Sequence, residues 1–397
     1  MDERVDILAE LIVQLGANVQ PGQILDIGTD IGKEELTRAV AAAAYRRGAR
    51  FVEADYFDPW VKRSRLEHAA DDSLEYVPSW LGDRVRALGE AHAATITLTG
   101  PVAPRLFDDL DQARVGRDVL PHVKEWMDIM NERTVNWCVA PAPTRAWAEH
   151  VFPELEPDAA YARLWDEIAY VCRLDTDDPA AAWREQCELL EEVAARLNER
   201  RFDALHFEGE GTDLLVGLLP TSRWTGATDE TVDGVRFLSN LPSEEVFTAP
   251  DPQRVDGVVR STKPLDAYGA QVAGLRVEFE RGRAVRIEAD KGAEAIRAIA
   301  ARDEGASRLG EVALVDGSGR VGRLGTVFAE TLLDENAASH VALGDGYEIS
   351  VERDDLPRLN RSEIHVDFMI GGNEVDVTGV MGDGTLVPVL RRGVWQV

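Results

Sequence analysis

The stretch Val5-Asp6-Ile7-Leu8-Ala9-Glu10-Leu11-Ile12-Val13-Gln14-Leu15-Gly16-Ala17-Asn18-Val19-Gln20-Pro21-Gly22-Gln23-Ile24-Leu25-Asp26-Ile27 begins as one kind of element and ends as another. Val5, Leu8, Ile12 and Leu15 recur at helical spacing, Pro21-Gly22 interrupts them, and Ile24 to Ile27 is a short apolar run of strand length. Leu36, Val40 and Ala44 then form a second helical face that ends near Gly48, and Phe51-Val52-Glu53-Ala54 reads as the next strand. The same alternation returns at Thr95-Ile96-Thr97-Leu98, ending at Gly100, and at Thr134-Val135-Asn136-Trp137-Cys138-Val139. Strands alternating with helices predict an α/β domain with a parallel sheet over roughly the first 150 residues.

From Pro157 to about Arg201 the chain is rich in Ala, Glu, Leu and Arg at helical spacing, which predicts a helical segment. The character changes at Phe202. Short runs such as Ala204-Leu205-His206-Phe207, Leu214-Leu215-Val216, Leu275-Arg276-Val277 and Val312-Ala313-Leu314-Val315 alternate with Gly, Asp and Pro turns, and a helix is expected around Ala293 to Ala301. The second half is thus read as a β-rich α+β domain, giving an N-terminal domain over 1–200 and a C-terminal domain over 201–397. A chain of 397 residues exceeds one ordinary core, which agrees with two.

The net charge of -29 opposes broad contact with nucleic acid or an anionic membrane surface. Lys33, Lys62, Lys124, Lys263 and Lys291 are the only lysines among 43 basic residues. An acidic, Lys-poor composition resembles that of proteins adapted to high salt, although a GC-rich genome also favours Arg over Lys. Cys138, Cys172 and Cys187 are scattered, without CxxC spacing, and read as buried reduced thiols. Met1-Asp2-Glu3-Arg4 does not open a signal peptide, and no run approaches 18 apolar residues, so a cytoplasmic location is expected.

Gly317-Ser318-Gly319-Arg320-Val321-Gly322 matches the GxGxxG pattern of dinucleotide folds, directly after an apolar run. It lies far from the N-terminal α/β region and opens no convincing helix, so a glycine turn leaving a strand is the better account. His365-Val366-Asp367 sits in the alternating run Ile364 to Ile370, where a strand projects both side chains from one face. Imidazole and carboxylate suit zinc, cobalt or manganese. His340 follows Asp334-Glu335-Asn336-Ala337-Ala338-Ser339, where small residues leave room around an ion. Glu244-Glu245 and Glu311 each sit beside an apolar run, where an unpaired carboxylate is costly. Taken singly, each of these acids reads better as a solvated or paired glutamate than as a ligand.

Together the segments carry a resemblance. Asn240-Leu241-Pro242-Ser243-Glu244-Glu245-Val246-Phe247-Thr248-Ala249-Pro250, Leu309-Gly310-Glu311-Val312, Leu333-Asp334-Glu335-Asn336-Ala337-Ala338-Ser339-His340 and His365-Val366-Asp367-Phe368-Met369-Ile370-Gly371 are similar, in order, to the motifs of the thermophilic metalloaminopeptidase family. Gly209-Glu210-Gly211-Thr212-Asp213-Leu214, Ser261-Thr262-Lys263-Pro264 and Pro141 to Trp147 fit the same family. The resemblance implies a two-domain, homodimeric exopeptidase with two divalent metals, zinc, cobalt or manganese, in the C-terminal domain. It carries metal ligation onto Glu245, Glu311, His340, His365 and Asp367, and an active-site tyrosine onto Tyr347, whose surroundings Gly344-Asp345-Gly346-Tyr347-Glu348 depart from the family pattern. Glu335 matches an active-site acid that either binds metal or shuttles a proton.

The chemistry expected is hydrolysis of peptides with a free N-terminus. A water held between two metals loses its proton near neutral pH and attacks a polarised carbonyl. Glu335, or failing that Glu244, passes the proton to the leaving amine, and Tyr347 donates to the developing oxyanion. Two alternatives keep the metals. One is a two-metal phosphoesterase, against which the acidic charge and lack of an arginine-rich phosphate motif argue; the other is a metal-stabilised binding protein whose ligands leave no place for water.

Overall fold

The computed structural model describes residues 3–118 and 120–397. Its first sheet forms where the alternation placed it. Strands β1 (Ile24–Asp30), β2 (Phe51–Phe57), β3 (Ala94–Thr99) and β4 (Asn136–Pro141) pair in parallel in the order β2-β1-β3-β4. β4 begins two residues later than the sequence reading, because Thr134 N still bonds Ile129 O at the end of the helix Glu125–Asn131, with Arg133 in the left-handed region at φ 56°. The first helix, Glu3–Leu11, continues into a wider turn over Ile12–Gly16. The helical segment is two helices, Pro157–Val171 and Pro179–Arg200, the second capped by the Asp178 side chain accepting from Ala181 N.

In the second half an eight-stranded sheet runs through the strands Arg283–Glu288, Arg276–Glu280, Pro250–Arg260, Thr212–Leu218, Ala204–Gly209, Val375–Val380, Leu386–Arg391 and Val394–Trp395. A separate four-stranded antiparallel sheet is built from β5 (Glu245–Thr248), β6 (Leu309–Val315), β7 (His340–Gly344) and β8 (His365–Met369), in the order β8-β7-β6-β5. Every residue of β6 and β7 is buried, so this sheet lies inside the molecule. Gly317 to Gly322 leaves β6, whose neighbours on both sides are antiparallel, so no parallel crossover exists there to hold a dinucleotide.

Two glycines are required by close approach. At Gly100, φ is +106° and a Cβ would lie 2.8 Å from the buried Trp147 ring. At Gly344, φ is +109° and a Cβ would lie 2.0 Å from Ile364 O, so glycine alone lets β7 run against the start of β8. The halves also interlock: Val139 N of β4 donates to Ser239 O, Leu241 N donates to Val139 O, and Trp147 Nε1 donates to Phe328 O at 2.7 Å. Among the described residues no helix is long and apolar enough to cross a membrane.

Candidate metal centre

Strand register assembles the site. Residues directly opposite in an antiparallel pair share a face, and so do residues i and i+2 along a strand. Ala342 of β7 faces both Glu311 of β6 and Asp367 of β8, Gly344 faces His365, and Ala313 faces His340 on one side and Phe247 on the other. Val315 faces Glu245. One face of the sheet therefore carries Glu245, Glu311, His340, His365 and Asp367, with Ala313, Ala342 and Gly344 leaving space between them. Glu335 ends the short helix Thr331–Glu335 immediately before β7, and Tyr347 follows β7, with its ring 5.1 Å from His365 and 5.8 Å from Phe247.

Three sets of ligand atoms lie within 4.8 Å of one another: Glu245 with Glu311 and His340, Glu311 with His365 and Asp367, and Glu335 with His340 and Asp367. Glu311 belongs to two of them. Its Oε1 is 3.6 Å from His340 Nε2 and its Oε2 is 3.5 Å from His365 Nε2. His340 Nε2 is also 3.0 Å from Glu245 Oε2, and His365 Nε2 is 3.4 Å from Asp367 Oδ1. On the far side of each ring, Nδ1 meets a backbone carbonyl, Ala338 O at 3.3 Å and Asp345 O at 2.9 Å. An Nδ1–H donated there turns the Nε2 lone pair toward the carboxylates, the arrangement metal-binding histidines use.

Electrostatics and satisfaction both call for a cation. Burial, reinforced by Asp367 and Glu245, pushes the Glu335 carboxyl well above the usual range. Burial alone would favour a neutral His340, but the charges of Glu245, Glu311 and Asp367 prevail and hold its pKa well above normal. His365 is likewise raised to about 10 against its burial, chiefly by Asp367. Burial and the same carboxylates keep Tyr347 a phenol. Glu245 Oε2 and Asp367 Oδ1 are buried and have only the His340 and His365 Nε2 atoms beside them, with no well-formed hydrogen bond, a costly state that coordination would relieve. The donor set, carboxylates and imidazoles, fits a divalent first-row ion such as zinc, cobalt or manganese.

Glu244 is not part of this gathering. As the neighbour of Glu245 it projects elsewhere, its Oε1 3.3 Å from Arg173 Nη2 and its Oε2 accepting from Gln186 Nε2 at 3.1 Å. It is a buried carboxylate paired with Arg173 and Gln186 and outside the three ligand clusters. Beside the ligands the cleft is lined by residues outside those motifs, among them Trp137, Thr225, Ala227 and Ile349. Ser261-Thr262-Lys263-Pro264 finds its role nearby: Thr262 Oγ1 donates to Gly371 O at 2.7 Å, and Lys263 Nζ is 3.5 Å from Asp334 Oδ1, the residue before Glu335.

The profile of the peptidase M29 family, thermophilic metalloproteases, matches residues 1–395. The chain belongs to that family. Aminopeptidase T of Thermus thermophilus is 40% identical over 399 residues, covering 98% of each chain. Aminopeptidase PepS of Streptococcus thermophilus is 36% identical over 407 residues, covering 100% of this chain and 98% of the relative. The solved structure of wild-type AmpT from Thermus thermophilus matches with a TM-score of 0.87 at 39% identity, covering 100% of this chain and 99% of that one. M29 membership makes the protein a metal-dependent hydrolase, and the likeness to the AmpT structure extends over the whole fold.

Proposed function

We propose that the protein is an aminopeptidase that removes N-terminal residues from peptides at a dinuclear metal site. The observation that carries the two-metal reading is Glu311, whose two oxygens turn to two different imidazoles. Glu245, Glu311 and His340 would hold one ion, and Glu311, His365 and Asp367 a second. Divalent ions bound there would supply Lewis-acid polarisation of the scissile carbonyl and would make water more acidic. The aminopeptidase reading is supported by the relatives' names and by their coverage of the whole chain.

In this reading Glu335 is the proton carrier. Its carboxylate takes a proton from the attacking water and delivers it to the leaving amine nitrogen. The same acid can also serve as a ligand, since it shares a cluster with His340 and Asp367. Tyr347, kept as a phenol, donates to the oxyanion. Residues 201–397 carry the ligands, while residues 1–200 brace them and contribute Trp137 to the cleft wall. The working form is read as a cytoplasmic homodimer; exposed Phe51 and Tyr56 on edge strand β2, with Trp60 and Val61 just beyond, offer an apolar surface for association.

The experiment is a peptide mixture with free and N-acetylated termini, incubated with metal-loaded protein and read by mass spectrometry. Stepwise loss from free N-termini alone is expected. Internal cleavage of blocked peptides at comparable rates would replace this reading with an endopeptidase.

A further inference from the structure

Three buried polar atoms in the cleft lack a hydrogen-bond partner among the described residues: Glu245 Oε2, Asp367 Oδ1 and Thr225 Oγ1. The first two belong to metal ligands. The third does not. Thr225 exchanges both backbone hydrogen bonds with Phe247, N to O at 2.9 Å and O from N at 3.0 Å, so its main chain is fully used. Such a reciprocal pair puts both side chains on one face. Phe247 shares its face with Glu245 by alternation, so the Thr225 side chain stands on the cleft face, in the row that continues through Phe247 and Ala313 to His340. Two neighbouring threonines are satisfied: Thr228 Oγ1 donates to Glu191 at 2.6 Å and Thr248 Oγ1 to Arg223 O at 3.0 Å. Thr225 differs from both, and it lines the cleft that holds the candidate ligands.

Resting on the aminopeptidase reading, we infer that Thr225 is a substrate-contacting residue whose hydroxyl hydrogen-bonds the main chain of the bound peptide near its first peptide group. Position selects main chain over side chain. Thr225 and Glu245 are diagonal neighbours, with Cβ atoms roughly 7 Å apart, and a peptide advances about 3.3 Å per residue. The hydroxyl therefore reaches within about two residues of the ligands, a region every substrate fills with amides whatever its first side chain. A buried hydroxyl without a protein partner weakens the fold, which is tolerated where a ligand completes it.

The test uses the metal-loaded full chain as wild type, Thr225→Val and Thr225→Ser, on two peptides that differ only in the first residue, Leu or Lys. Valine matches the shape and keeps the backbone pair. The expected result is a fall in kcat/KM of roughly 3- to 10-fold for Thr225→Val, equal for both peptides, with recovery in Thr225→Ser. Metal content should be unchanged and the thermal midpoint unchanged or raised. Wild-type kinetics in Thr225→Val overturns the inference. So does a loss confined to one peptide, which would make Thr225 a side-chain selector, and so does a lowered midpoint with lost metal, which would make its role structural. If blocked peptides prove to be cleaved as readily as free ones, the aminopeptidase reading falls separately, and the ratio of variant to wild type is read on whichever peptide is cut.

Discussion

The β1–β4 sheet and the β5–β8 sheet each gather charged groups, but they leave them in opposite states. In the parallel sheet the strand order reverses between β1 and β3, the place where open α/β folds usually bind a ligand at the strands' carboxyl ends. Here that place is closed. Lys33, 4% exposed, donates to Asp30 Oδ2 at 2.6 Å and to Leu98 O at 2.8 Å, and Glu330 from the second half meets Thr99 and caps Leu333 N. At the antiparallel sheet four carboxylates share two imidazoles, and Glu245 Oε2 and Asp367 Oδ1 lie beside those rings without a well-formed hydrogen bond. The difference teaches how to sort polar clusters: a satisfied one is a brace, while an unsatisfied one awaits a ligand.

What the brace holds is the segment that delivers Glu335. Trp147 bonds Phe328 O, Asp334 accepts from Phe328 N at 3.1 Å and Glu330 N at 3.3 Å, and Lys263 stands against Asp334. The two sheets are therefore coupled through residues 326–335, and the comparison can be broken at either end.

The largest effect is expected at the unsatisfied cluster. His365→Ala and Asp367→Ala should lower metal content and activity together, on the order of 10³-fold in turnover, measured by elemental analysis beside steady-state kinetics. Chelation of the wild type should abolish hydrolysis, with recovery on adding zinc, cobalt or manganese; full activity after verified metal removal would end the comparison. Glu335→Gln comes next. As proton carrier it should lose on the order of 10²- to 10⁴-fold in turnover and keep its metals, whereas loss of metal as well would make it a ligand.

The brace should respond in stability. Trp147→Ala empties a fully buried site and leaves Phe328 O without its donor, at an expected cost of about 3–5 kcal/mol, read by denaturant unfolding. Lys263→Met should cost less, about 1–3 kcal/mol, and also slow turnover, because Asp334 loses its cation one residue before Glu335. Unchanged kinetics in that variant would uncouple the brace from the site. The smallest effect concerns pH. Burial raises the Glu330 carboxyl to about 7, so between its unfolded pKa and pH 7 the folded chain holds more protons than the unfolded one. Stability should then fall as pH rises through that window, and Glu330→Gln should flatten the slope.

Much of this was legible in order along the chain. Alternating periods marked the parallel sheet and the β-rich half, because buried strands and amphipathic helices leave different apolar spacings. His365 and Asp367 could be placed on one face from spacing alone, since a strand has a period of two. The resemblance supplied Glu245, Glu311, Glu335 and His340 as separate members of one set. Their assembly belongs to tertiary structure: a one-residue slip in register would turn a strand's entire face away, and no local pattern records which residue lies opposite which. That is why Glu244 and Glu245, adjacent and alike in sequence, part company, one paired with Arg173 and the other beside His340. It is also why Thr225 carried no signal. Its meaning comes from Phe247, 22 residues away, whose backbone pair sets the Thr225 side chain on the cleft face, where its hydroxyl has no hydrogen-bond partner among the described residues.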